Sequence, residues 1–169
     1  MLREFKGWKL AEVCATLEAR HAIALPEPFV ADYRRKVEQL FAQGLRPVRG
    51  VQQMLAALAL PKCVASSGPP AKIAQSLQLS GLKQHFGENI FSSYVVQSWK
   101  PDPGLFLHAA HAMGFAPARC AVIEDSDVGI RAALAAGMRA FRYNEEGPLS
   151  EQPDVVVFND MRLLPELLA

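Results

Sequence analysis

Two adjacent carboxylates, Glu124 and Asp125, end the apolar run 121–123 in the stretch CAVIEDSDVGIRAALAAGM. Paired acids at the mouth of a buried strand repel one another, so this composition implies a cation close by. Hard oxygen ligands there suit Mg²⁺, which takes one or two protein carboxylates and completes its shell with water and a substrate phosphate. The alternative is a set of solvated acids beside a helix start, with Asp127 as N-cap and Gly137 closing the helix.

Hydroxyls gather at a second strand end. In CVASSGPPAK, Ser66, Ser67 and Gly68 follow an apolar run, and Pro69 and Pro70 lead into a helix. Hydroxyls and free backbone N–H groups at a helix N-terminus form a phosphate cradle; the same residues also read as an ordinary N-cap turn. In SWKPDPGLF, Asp102 is expected to cap a helix whose first residue is Pro103 and which Gly114 ends. Lys100 is then held in a stiff extended segment just before the cap, or is simply a solvated loop lysine. His108 and His111 share a helix face but lack the glutamate of a zinc-protease helix, and read as ordinary helix residues.

The elements that would position these groups change character once along the chain. Residues 1–44 read as helices only, with one apolar stripe at Leu10, Val13, Cys14 and Leu17 and a second at Phe29, Tyr33, Val37, Leu40 and Phe41. From 45 onward helices and strands alternate: a helix over 51–58, the strand KCVAS, the helix PPAKIAQSLQL, a short strand near 90–91, a helix in PDPGLFLHAAHAMG, then CAVIE, a helix, RAFRY, DVVVF and a final helix. Such alternation predicts an α/β fold with a parallel sheet covered on both faces. Ligands in such sheets sit at the carboxyl ends of the strands, where all three polar groups fall.

Composition sets the remaining bounds. The 169 residues are 50% hydrophobic, enough for a real core, and 18 basic against 17 acidic residues leave a net charge of +1. Neither sign forms a block, so no nucleic acid or anionic membrane partner is expected. No apolar run is long enough to span a bilayer and the first residues lack the apolar centre of a signal peptide, so the expected location is the cytoplasm. Cys14, Cys63 and Cys120 have no metal spacing and read as buried free thiols.

The ordered set VASSGPP, WKPDPGLF and VIEDSDVGIRAALAAGM closely resembles motifs two, three and four of the haloacid dehalogenase superfamily, in its subgroup of small sugar-phosphate phosphatases and phosphomutases. Together with FKG near the start, the segments look most like the 6-phosphogluconate phosphatase type. The resemblance covers essentially the whole chain. It implies a Rossmann-like parallel sheet core over 45–169 with a small, partial helical cap over 1–44, and Mg²⁺-dependent hydrolysis of small phosphorylated metabolites through an aspartyl phosphate. By resemblance Ser66 binds the transferring phosphoryl group, with Ser67 and Gly68 beside it; Lys100 neutralises that group, Asp125 ligates Mg²⁺ and Glu124 supports the metal. Lys6, Gly7 and Lys9 correspond to a turn that closes over the non-reacting end of the substrate. Cation and aromatic together there suit a polyhydroxylated anion, although an exposed basic turn packed on Trp8 reads equally well.

One part of the family pattern has no counterpart. The family carries a first strand ending in Asp-x-Asp, whose first Asp attacks phosphorus; the Asp125/Asp127 and Asn159/Asp160 pairs do not replace it. In-line phosphoryl transfer of this kind needs that carboxylate, so the chain as given is expected to be inactive. By resemblance the same strand lies centrally, between those carrying Ser66 and Asp125, and its absence would leave two interior edges unpaired and open to self-association. A phosphate-binding or regulatory protein without catalysis is the other function class, and a β-phosphoglucomutase-like isomerase is the other chemistry for a complete site.

Overall fold

In the computed structural model, residue 5 and residues 8–145 and 153–169 are described. Lys6 and Gly7 lie outside the described residues. The chain runs α1 (Leu10–His21), α2 (Phe29–Gly44), α3 (Val51–Ala57), β1 (Val64–Ser66), α4 (Pro70–Leu79), β2 (Ile90–Ser92), α5 (Ser93–Val96), α6 (Gly104–Ala112), β3 (Ala121–Glu124), α7 (Asp127–Ala135), β4 (Arg139–Tyr143), β5 (Val155–Phe158) and α8 (Leu164–Leu168). Short 3₁₀ turns occupy Lys83–His85, Pro117–Arg119 and Met161–Leu163. The expected α/β alternation is present, and every strand pairing among the described residues is parallel.

The strands form two sheets, β1–β2 and β3–β4–β5. Among the described strands β1 pairs only with β2, and β3 only with β4. The two sheets nevertheless share a core. Along β4 successive side chains alternate between faces, as a pleated strand requires. Ala140 joins Phe106 and Ala110 of α6, Val122 of β3 and Ile130, Ala132 and Ala133 of α7, with Ala65 of β1 packed against the same group. Phe141 and Tyr143 point the other way, into Met54 and Leu55 of α3, Phe158, Met161 and Leu164. Small residues on α7 let that helix lie close on the sheet, and Gly137, at φ +70°, ends the turn that feeds β4.

The helical segment departs from expectation in its burial. Both stripes form helices, but α1 buries only Cys14 and α2 buries no residue. Tyr33 is 45% exposed and Leu40 53%. Periodicity therefore located the helices without locating a core for them.

Two expected caps are also displaced by one residue. Ser126, not Asp127, is the N-cap of α7, with extended backbone and its hydroxyl accepting from the Gly129 N–H at 3.1 Å. Asp127 is instead the first helical residue, where its charge still suits the positive helix end and pairs with Arg142 of β4. Helix α6 starts at Gly104 with Pro103 at its N-cap and no side-chain cap, so Asp102 does not cap it.

Candidate functional site

Ser66, Lys100 and Glu124 come together at the carboxyl ends of β1 and β3. The Lys100 ammonium donates to the backbone carbonyl of Ala65 at 3.2 Å and to Glu124 Oε1. One cation thus ties Ala65 of β1, in the two-stranded sheet, to Glu124, the last residue of β3 in the three-stranded one. Both side chains of the pair are only 9% exposed, and the Phe106 ring lies 4.8 Å from the ammonium. Either charge left here without its partner would be costly.

Glu124 is held on its other oxygen as well. Oε2 accepts from the Ser126 hydroxyl at 2.8 Å and from the backbone N–H groups of Asp125 at 3.2 Å and Ser126 at 3.3 Å. The carboxylate lies across the start of α7, where the helix dipole favours a negative charge. Gly129 makes room for it, since a β-carbon there would overlap the Glu124 carboxyl group. Asp125 follows on the exposed side of the turn, next in the chain to Glu124.

On the other strand, Ser66 Oγ accepts from the Gly68 N–H at 3.1 Å. That amide is therefore engaged in the turn and not free, as a cradle of open N–H groups would have it. Ser67 Oγ is enclosed and lacks a hydrogen-bond partner among the described residues. A buried hydroxyl left unsatisfied is costly unless a ligand or water meets it. Ser92, the register partner of Ser66 on β2, donates to the Gly68 carbonyl at 2.7 Å and fixes the turn from the neighbouring strand.

Lys9, the N-cap residue of α1, has its ammonium 3.9 Å from the centroid of the Trp99 ring. Trp99 immediately precedes Lys100.

Ser126, Gly129, Ser92 and Arg142 were not singled out from the sequence. Ser126 and Gly129 carried a usable signal, a serine three residues before the amide it caps. Ser92 and Arg142 act across the sheet, in register with Ser66 and Glu124, and no local spacing announces that.

The donor set suits a hard cation of open coordination. Among the described residues no three His, Cys, Asp or Glu side chains converge as a closed cage, so a cation here draws most of its shell from water and ligand. That is the habit of Mg²⁺, for which Asp125 and Glu124 are the carboxylates that could serve.

The comparisons with known proteins agree with this geometry. The family model described as haloacid dehalogenase-like hydrolase matches residues 3–137. The chain is 33% identical to 6-phosphogluconate phosphatase of Escherichia coli (strain K12), an alignment covering 99% of this chain and 77% of the relative. It is 29% identical to fructose-1-phosphate phosphatase YqaB of the same organism, over 79% of this chain and 70% of the relative. The crystal structure of a haloacid dehalogenase-like protein of unknown function from Agrobacterium tumefaciens superposes with a TM-score of 0.82 at 24% identity, covering 99% of this chain and 82% of that one. The three strand-end motifs, the parallel α/β core and the match over 3–137 show that the chain belongs to the haloacid dehalogenase-like hydrolase family.

Proposed function

We propose that the group of side chains at the carboxyl ends of β1 and β3 binds the phosphoryl group of small phosphomonoesters, sugar phosphates and sugar-acid phosphates, for Mg²⁺-dependent hydrolysis through an aspartyl phosphate. The observation that carries this reading is the buried Lys100 ammonium, joined to the Ala65 carbonyl on one side and to Glu124 on the other. The named activities of the two Escherichia coli relatives support the substrate class. Ser66 and Ser67 donate hydroxyl hydrogens to the phosphoryl oxygens, and Lys100 offsets the charge that builds there during transfer. Asp125, backed by Glu124, holds the Mg²⁺, which supplies charge neutralisation at the phosphate when bound.

The acceptor carboxylate is the group that the described residues do not provide. We therefore read the 169-residue chain as a phosphate binder that does not turn over. Catalysis requires an added segment that bears Asp-x-Asp. The test has two stages. Inorganic phosphate should bind the chain and lose affinity on Lys100→Ala, without p-nitrophenyl phosphate turnover in either case. Fusing such a segment should then give Mg²⁺-dependent turnover, cut at least about a hundredfold by Lys100→Ala, the scale for losing one transition-state electrostatic contact. Turnover by the unfused chain would refute the inactivity, and equal phosphate affinity with and without Lys100 would refute the site.

A further inference from the structure

The turn between β3 and α7 carries both candidate metal carboxylates, and it is tied down at each end. At the β3 end Lys100 holds Glu124 Oε1, while Oε2 accepts from the Ser126 hydroxyl and from the Asp125 and Ser126 N–H groups. At the α7 end the tie comes from the neighbouring strand. Arg142 of β4 is the register partner of Glu124. It follows Ala140 by one full pleat, so it shares the face that packs against α7. From there its Nη2 donates to Oδ1 of Asp127, the first residue of that helix. Asp125 lies in the chain between the two ties.

The partners of the second tie are placed unequally. Asp127 is 79% exposed but Arg142 only 17%, and Arg142 Nε is enclosed with no hydrogen-bond partner among the described residues. An arginine serving only as surface charge would keep its guanidinium in water; this one is largely withdrawn from it, at the cost of an unsatisfied N–H. An ion pair with one partner so exposed adds little to stability. Its consequence is geometric, because a tie from β4 at Asp127, with Glu124 already held, restricts the backbone at Asp125 from both sides.

We propose that Arg142 is a positioning residue for the metal site: through Asp127 it fixes the backbone from which Asp125 presents its carboxylate to a divalent cation. The proposal rests on the reading of Asp125 as a Mg²⁺ ligand. By charge alone Arg142 repels such a cation, so removing a mere charge raises metal affinity. Removing a group that orients a ligand lowers it, by about 10- to 100-fold. The two roles differ in sign.

Mn²⁺ serves as the probe, with the free ion read by electron paramagnetic resonance during titration of the whole chain in the presence of inorganic phosphate. Arg142→Met removes the charge, keeps an unbranched stem, and should lower Mn²⁺ affinity by about tenfold. Asp127→Asn should lower it by a similar factor. The double variant should also lose about tenfold, not the roughly hundredfold of two independent losses. Exchange of the Ser126 and Gly129 amides, whose hydrogen bonds close the turn, should quicken in both single variants while exchange in β1 stays the same.

Raised or unchanged Mn²⁺ affinity in Arg142→Met would overturn the positioning role, as would losses that add in the double variant or amide exchange that does not change. If the parent binds no Mn²⁺, the metal reading fails, while amide exchange still decides whether Arg142 fixes the turn. Should Arg142→Met fail to fold, Asp127→Asn at its exposed position makes the test alone. A loss of at least about tenfold with faster exchange is expected, and a loss within about fivefold, which one exposed charge accounts for, overturns the role.

Discussion

The helices of residues 10–44 and the sheet of residues 121–158 are built from similarly apolar sequence and are used in opposite ways. In the sheet half Phe141 is wholly enclosed, along with Leu105, Leu164, Ala132 and Ala133. In the helical half the apolar stripe of α2 leaves Tyr33 and Leu40 largely in solvent. Burial, not apolar content, converts a side chain into stability. The Lys100–Glu124 ion pair belongs to the well-buried half, and the Trp99 ring meets Lys9 of the less buried one.

The sharpest break in this contrast is a truncation made once in each half. Phe141→Ala should cost about 3–5 kcal/mol through lost transfer energy and an unfilled cavity. Leu40→Ser should stay within about 0.5 kcal/mol, as surface substitutions do. Denaturant midpoints at constant m-value measure both, and a large loss at Leu40 would show that the helical segment has a core of its own.

Next in size is the Lys100–Glu124 ion pair. Lys100→Met leaves the Glu124 charge buried without its cation and should cost about 3 kcal/mol. Adding Glu124→Gln removes that charge and should restore at least half of the loss, while phosphate binding stays absent. If the double substitution is no more stable than Lys100→Met alone, the pair is not the source of the loss.

Smaller again is the cap of α7. Ser126→Ala removes the acceptor of the Gly129 N–H and one donor to Glu124, and should cost about 1 kcal/mol. Equal stability of the two proteins would return the cap to Asp127.

The smallest effect concerns acid. Arg162 hydrogen bonds, and more weakly its charge, lower the Asp160 pKa from 3.8 to about 2. The folded value is depressed, so the contribution of this group is full above the unfolded pKa and fades as pH falls from 3.8 toward 2. Asp160→Asn should flatten the pH dependence of Tm in that window and leave its slope unchanged near neutrality. An unaltered acid slope would show that this exposed pair contributes nothing to the transition.

Strand positions were legible because they alternate with helices at lengths that only a parallel α/β sheet accommodates. RAFRY is β4 residue for residue, and CAVIE contains β3. The α7 cap was misplaced because Ser and Asp stand side by side at 126 and 127. The choice between them was made by Arg142, fifteen residues on, which took Asp127 as its partner. The short α5 and the 3₁₀ turns are fixed by tertiary contacts at lengths too small for a periodic signal. Among the candidate groups, the strand-end carboxylates and Lys100 were visible as types and spacings. That Glu124 would meet Lys100, and that Lys9 would meet Trp99, depended on how the two sheets and the first helix pack.

The pairing of Lys100 with Glu124 gives the site a resident competitor. Under the proposed reading, an arriving phosphate must take an ammonium that already holds an anion tethered at high effective concentration. Its affinity would then be the net result of an exchange of partners, not the strength of a new contact. The same exchange would refuse monoanions too weak to displace the carboxylate, and would admit a dianion or an anion that arrives with its own divalent cation to engage the displaced acid.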